Sequence, residues 1–196
     1  QWSIFYKNCT TNEKAIVRVR YSPAFTDLVE FEVELAPVPI MDEIGKDITV
    51  NFKFFDSFDP NSTFFTDSNG LMMQQRNIKN VTLDNRLAEN ELGYNHATIA
   101  ANYFPVDSAI AMRDHSGLSN LQVTVMNDRP QGGSADLSSK ANIELMQHRR
   151  LLRDDDLGMS EALNETDSQN DGIRVTARYM VQIFDTNRGQ SQQRNT

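Results

Sequence analysis

With 196 residues, a formal net charge of −8 and a sequence pI of about 4.9, the chain is too acidic to track a phosphate backbone, which demands a basic stripe. A hydrophobic content of 39% with nine Gly and six Pro excludes a collagen-like or wholly disordered chain, and no apolar run approaches the roughly 18 residues of a membrane-spanning helix. The length suits one large β domain or a piece of something larger.

Taken from the N-terminus, QWSIFYKNCTT has no basic segment leading into an apolar one, so no signal peptide is visible. Clean period-2 alternation then begins. In AIVRVRYS, Val17, Val19 and Tyr21 share one face and Arg18 and Arg20 the other. In LVEFEVEL, Val29, Phe31, Val33 and Leu35 oppose Glu30, Glu32 and Glu34. The arginine face of the first suits cross-strand ion pairs with the glutamate face of the second if the two are neighbours. APVPIMDEIGK, with two prolines and a glycine, reads as a connection, and ITVNFKFF resumes a strand with Ile48, Val50, Phe52 and Phe54 on one face. TDSNGL carries the Asn-Gly hairpin signal. Arg76–Glu91 is the one helix candidate and has no convincing apolar stripe. LQVTVMND and ANIELMQ are further strands, separated by DRPQGGS, whose Gly-Gly permits positive φ in a tight loop. Asn164–Gly172 is polar and reads as a surface loop. IRVTARYMVQIF aligns Ile173, Val175, Ala177, Tyr179, Val181 and Ile183, a strand long enough for a large sheet. These elements predict an antiparallel all-β sandwich over residues 1–185 and a disordered tail over 186–196.

Conventional catalytic constellations are missing. The three histidines, His96, His115 and His148, form no His-x-His, His-x-Asp or HExxH pair, so no zinc spacing is present. No Gly-x-Ser-x-Gly elbow occurs. Cys9, the single cysteine, is either a small buried hydrophobe or the half of a bond to another chain. Asn-x-Ser/Thr sequons at Asn8, Asn61, Asn80 and Asn164 are candidate glycosylation sites. MQHRRLLRDDD places Arg149 and Arg150 just ahead of Asp154, Asp155 and Asp156. Neighbours on a regular strand face opposite sides, so the two arginines diverge unless a bulge intervenes. The aspartates read as a charged turn whose carboxylates pair with nearby arginines.

Four motifs occur in order: FFTDSNG (64–70), ANYFPV (101–106), VMNDRPQGGSA (125–135) and ELMQHRRLLRDDDLG (144–158). Together they resemble the C-terminal β region of the lysosomal acid α-mannosidases of glycoside hydrolase family 38, and more loosely the Golgi class II enzymes. PVPIMDEIGKDI is similar to the segment upstream of these motifs, so the resemblance covers most of Glu30–Gly158. Phe65 and Phe104 stand where the family pattern has tyrosines. Ala101 stands for a glycine and Pro130 for a serine, and Asp156 and Leu157 take the places of Gly and Arg.

The resemblance implies a segment of a large super-sandwich, galactose mutarotase-like, within a retaining, zinc-dependent α-mannosidase. The zinc ligands and nucleophile would lie in an upstream domain. No matching catalytic motif or metal site exists in this chain, which alone is expected to be inactive. The implied partners are the catalytic domain or other chains of the same enzyme and mannose-containing glycans, in the lysosome or secretory pathway. The resemblance also makes Arg149 and Arg150 candidate substrate-binding residues. One would reach the sugar pocket and the other would pair with an aspartate of the DDD turn. The alternative is a stand-alone β-sandwich that binds glycans or scaffolds.

Overall fold

The computed structural model of the chain describes residues 2–7, 14–22, 27–78, 99, 101–136, 140–154, 156–158 and 160–187. In chain order the strands are β1 (Trp2–Lys7), β2 (Lys14–Tyr21), β3 (Leu28–Leu35), β4 (Lys46–Lys53), β5 (Thr63–Ser68) and β6 (Met72–Asn77). They continue with β7 (Phe104–Val106), β8 (Ala109–Arg113), β9 (Leu121–Asn127), β10 (Gln131–Ala135), β11 (Asn142–Arg150) and β12 (Val175–Asp185). An eight-stranded sheet runs β1-β2-β3-β12-β9-β8-β5-β6, and a four-stranded sheet runs β4-β11-β10-β7. Every pairing is antiparallel. The expected antiparallel all-β sandwich is what forms.

Alternation explains the layering. Val33, Val123, Val125, Ala177, Tyr179 and Val181 face inward from the larger sheet and Ile143 and Leu145 from the smaller one, all nearly or fully buried. Each such aliphatic burial contributes about 1.5–3 kcal/mol. Phe52 of β4 stands edge-on between Phe31 of β3 (5.5 Å) and Tyr179 of β12 (5.4 Å), which ties the layers together.

On the outer face of the larger sheet, the predicted Arg/Glu ladder is present. Arg18 binds Glu32 (2.8 Å) and Glu34 (3.3 Å), and Arg20 binds Glu30 (2.6 Å) and Glu32 (3.3 Å). Arg178 of β12 adds a further bond to Glu32 (3.2 Å). Burial by itself would raise the Glu32 carboxyl, but the arginine hydrogen bonds outweigh it and hold the group below the ordinary range.

The Asn-Gly signal also holds. Asn69 (φ 53°) and Gly70 (φ 68°) are both left-handed between β5 and β6, as a type I′ hairpin requires. The Gly-Gly expectation does not hold: Gly132 and Gly133 lie within β10, and neither has positive φ. They are glycines because of close approach. A Cβ on Gly132 would sit 2.9 Å from Met146 Sδ, and one on Gly133 would sit 2.8 Å from both Leu145 and Val106. Arg76 and Asn77 belong to β6, and residues 79–91 of the helix candidate lie outside the described residues. Beyond β12, the Thr186 N–H donates to the Asn120 carbonyl (2.9 Å), while residues 188–196 lie outside the described residues.

Candidate functional site

The site is built on the last turn of β11. Up to Met146, β11 pairs with β4 in simple register, Ile143 opposite Phe52 and Leu145 opposite Val50. The register shifts between Met146 and His148, so Gln147 is an extra residue, a β-bulge. Before the bulge the odd-numbered residues face the core. After it His148 and Arg150 turn inward, and Arg149 turns outward.

The bulge residue is itself anchored. Gln147 Nε2 donates to the Val33 carbonyl across the core (2.8 Å). Tyr179 Oη donates to Gln147 Oε1 (3.3 Å) and accepts from Gln131 Nε2 (3.0 Å), which also donates to the Met146 carbonyl (2.9 Å). Burial pushes the Tyr179 phenol up to about 12, so it stays a neutral hydroxyl at any working pH. This network joins the two sheets two residues before the arginine pair and fixes which way each arginine points.

Arg149 projects outward, with its side chain 46% exposed. Its Nε and Nη2 donate to the two carboxylate oxygens of Asp47 on β4 (2.5 and 3.0 Å), a bidentate fork. The register places Asp47 directly opposite Arg149. The hydrogen bond it donates to Asp47 raises the guanidinium above its ordinary value. Arg149 opens on a groove of about 430 Å³ shared with Arg153, Asp154, Leu157, Glu161 and Leu163.

Arg150 is buried. Its Nε donates to Asn164 Oδ1 (2.7 Å) and its Nη1 to the Val38 carbonyl (3.0 Å). Gly172 is glycine for this reason, since a Cβ there would collide with Arg150 Nη1 and meet Pro37. Arg150 therefore gathers the Pro37–Val38 connection and the Asn164–Gly172 loop against β11. It forms no ion pair among the described residues. A second groove, about 870 Å³, is lined by Val38, Ile40, Arg150, Asn164, Gly172 and Arg174.

His148 shares this buried side. Burial pushes its imidazole below the ordinary value; a hydrogen bond with the Ile173 backbone opposes this, the Arg150 charge adds to it, and Glu165 opposes it. Its Nε2 has no hydrogen-bond partner among the described residues.

Among the described residues neither arginine forms an ion pair with Asp154 or Asp156 of the expected DDD turn. The carboxylate that holds Arg149 is Asp47, and Asp154 instead closes its own turn by accepting the Asp156 N–H (3.0 Å). The chain has already left the strand by Asp154, whereas Asp47 sits across the ladder on the same outer face. Asp155 lies outside the described residues, as do Cys9, Asn8 and Asn80. Asn61 is exposed in a left-handed turn (φ 50°) and Asn164 is exposed at the edge of the Arg150 groove. The sequence singled out Asn164 only as a sequon; its bond to Arg150 depends on a loop that returns from 14 residues away.

Asp67 of FFTDSNG binds the segment that directly follows ANYFPV. Its carboxylate accepts the N–H groups of Asp107 (2.8 Å), Ser108 (2.9 Å), Ala109 (3.2 Å) and Gly70 (3.1 Å) and the Ser108 hydroxyl (2.8 Å). Burial alone would raise this carboxyl; the hydrogen bonds more than offset it and hold it low. The two phenylalanines that replace tyrosines are used as aromatic faces. The Arg76 guanidinium lies 4.5 Å over Phe104 and that of Arg113 5.1 Å over Phe65.

These motifs come together in a two-sheet antiparallel sandwich. Residues 14–157 match the C-terminal domain of glycosyl hydrolases family 38, and the chain belongs to that family. It is 36% identical to lysosomal alpha-mannosidase of Mus musculus over 154 residues, covering 78% of this chain and 13% of that protein. Identity to the protein of the same name is 37% in Cavia porcellus (82% of this chain, 14% of that one) and 39% in Felis catus (78% and 13%). The chain thus spans 13–14% of the length of these relatives.

Proposed function

We propose that this chain is the non-catalytic β portion of a lysosomal-type α-mannosidase that removes terminal α-D-mannose from glycans, and that Arg149 is its contribution to the sugar pocket. Family membership and the printed names of the relatives support the enzyme class. The observation that carries the residue assignment is the exposed, bidentate fork of Arg149 on Asp47. Asp47 occupies Nε and Nη2 and fixes the plane of the guanidinium, which leaves Nη1 to donate to sugar hydroxyls. Arg150 is spent on protein acceptors and acts as a positioning residue.

Zinc, expected in the whole enzyme, is assigned to its catalytic domain. Among the described residues no group of three or more His, Cys, Asp or Glu side chains could hold a metal ion, so no step is assigned to this chain through one. The chemistry belongs to the catalytic domain, which this chain holds and completes, and the chain alone is inactive. The relatives' lysosomal names favour the lysosome or the secretory pathway. There Asn61 and Asn164 carry glycans: Arg150 occupies Oδ1 of Asn164 and leaves Nδ2 for the glycan linkage. Loss of mass at these two peptides on deglycosylation of native protein checks this, and unmodified peptides would remove it.

The test of the sugar contact is Arg149→Ala in the full-length enzyme, assayed on an aryl α-mannoside. Losing a hydrogen bond to a neutral hydroxyl lowers kcat/KM by roughly 2- to 12-fold. An unchanged kcat/KM would exclude Arg149 from the pocket. The same loss in Arg150→Ala at unchanged melting temperature would transfer the role to Arg150.

A further inference from the structure

The groove beside Arg150 carries a residue able to bring its own occupant. Asn164 opens the sequon Asn164-Glu165-Thr166, and both Asn164 and Thr166 line the groove. Arg150 Nε holds Asn164 Oδ1 (2.7 Å), which fixes the amide and leaves Nδ2 on its other branch. The backbone around this amide is tied as well. The Leu151 N–H donates to the Leu163 carbonyl (2.9 Å), and Thr166 bridges Gly172. Asp167 Oδ1 accepts the N–H groups of Gln169 (2.8 Å) and Asp171 (3.0 Å). A sequon on a slack loop would let its glycan swing into solvent; this one is held at a set position on the rim.

The two walls of the groove differ in chemistry. One is the segment Ala36–Met41, with Pro37, Pro39 and Ile40 half-buried and Met41 99% exposed. Among the described residues nothing covers Met41. The facing wall is polar, with Thr166, Asp171 and Arg174. The Arg174 side chain is 60% exposed and makes only a long contact with Glu34 (3.7 Å), so its N–H donors are not saturated. One cation and one carboxylate on this rim balance each other, which suits a neutral ligand better than an anion. A sugar ring has the matching make-up: C–H bonds across a face, and hydroxyl or acetamide groups around the edge. The groove measures about 870 Å³. Pockets of about 300–1,000 Å³ enclose ligands of the size of two sugar rings.

We propose that the first two sugar residues of the glycan on Asn164 lie in this groove, their ring faces on Pro37–Met41 and a hydroxyl or acetamide oxygen accepting from Arg174. This rests on the glycosylation of Asn164 stated above and gives that glycan a structural seat. The attachment point selects the occupant. A sugar tethered at the rim reaches a local concentration on the order of millimolar, which no free glycan or peptide matches in dilute solution. Arg150, by holding Oδ1, aims the glycan as well as the loop.

The test treats the full-length glycoprotein with an endoglycosidase that cuts between the two innermost N-acetylglucosamines, and reads cleavage peptide by peptide from mass. Cleavage at Asn164 is expected to be ~10-fold or more slower in the native than in the denatured enzyme, because the bond is reached only when the glycan leaves its seat. Arg174→Ala removes one hydrogen bond to the sugar and should speed native cleavage roughly 2- to 12-fold. Met41→Asp, which spoils the apolar wall at a fully exposed position, should move it in the same direction. Equal native and denatured rates would overturn the proposal. Slow native cleavage unmoved by either variant would place the protection outside this groove and also overturn it. An unmodified Asn164 peptide would remove the glycan and the seat together, whereas a modified Asn164 that is cleaved freely would remove the seat alone.

Discussion

Arg149 and Arg150 are the same residue type, adjacent in sequence, on one strand, and they meet opposite environments. Arg149 has a carboxylate partner, an exposed guanidinium and an open groove. Arg150 is buried and holds a backbone carbonyl and an amide oxygen from two separate loops. The one-residue bulge at Gln147 decides which arginine takes which side. A buried charge that orders loops becomes expensive to remove, whereas a charge held at the rim is cheap to remove from the fold and available to a ligand.

The largest expected effect is on the buried side. Arg150→Ala strips the donors from Val38 and Asn164 and loosens the Gly172 loop. A cost of about 3 kcal/mol follows from losing two hydrogen bonds to a charged group, or roughly 6–12 °C in the melting temperature of the domain. Scanning calorimetry of the full-length enzyme checks it, and a melting temperature equal to wild type would erase the distinction between the two arginines.

His148 sharpens the same contrast through pH. Its folded pKa is depressed, so in the window below about 6.5 the unfolded chain takes up a proton that the native state refuses. Stability then rises with pH: it is full above that window and falls on acidification toward the folded pKa, by at most about 1.4 kcal/mol per pH unit. The anchoring carboxylates respond elsewhere. Asp67 and Glu32 have depressed folded values, so their contribution persists above about pH 4 and is lost only below it. Melting profiles of wild type and His148→Gln between about pH 4.5 and 7 should therefore separate, with the variant flatter. Parallel profiles would remove His148 from the pH response.

Arg149→Ala should change the fold least. An exposed pair is worth about 0–1 kcal/mol, so its melting temperature should stay within ~4 °C of wild type. A larger drop would make Arg149 structural too, and the outer face would lose its claim to a separate role.

Periodicity by itself determined the sheet-forming segments, the Arg/Glu ladder between β2 and β3 and the Asn-Gly hairpin, because each depends on neighbours in sequence or on a two-residue repeat. The sequence also pointed to the Arg149–Arg150 segment and to the opposite facing of the pair. Only the tertiary structure decided the partners. Asp47 lies 102 positions from Arg149 and Val38 lies 112 from Arg150, and such pairings come from strand register and loop docking rather than from any local pattern. The Gly132–Gly133 pair shows the same limit. Glycine suits both a left-handed turn and a strand pressed against Met146 and Leu145, and only the packed neighbours distinguish the two. The bulge at Gln147 completes the case. Nothing local marks it, since it is fixed by a core network of Gln131, Tyr179 and the Val33 carbonyl that exists only once the two sheets have closed.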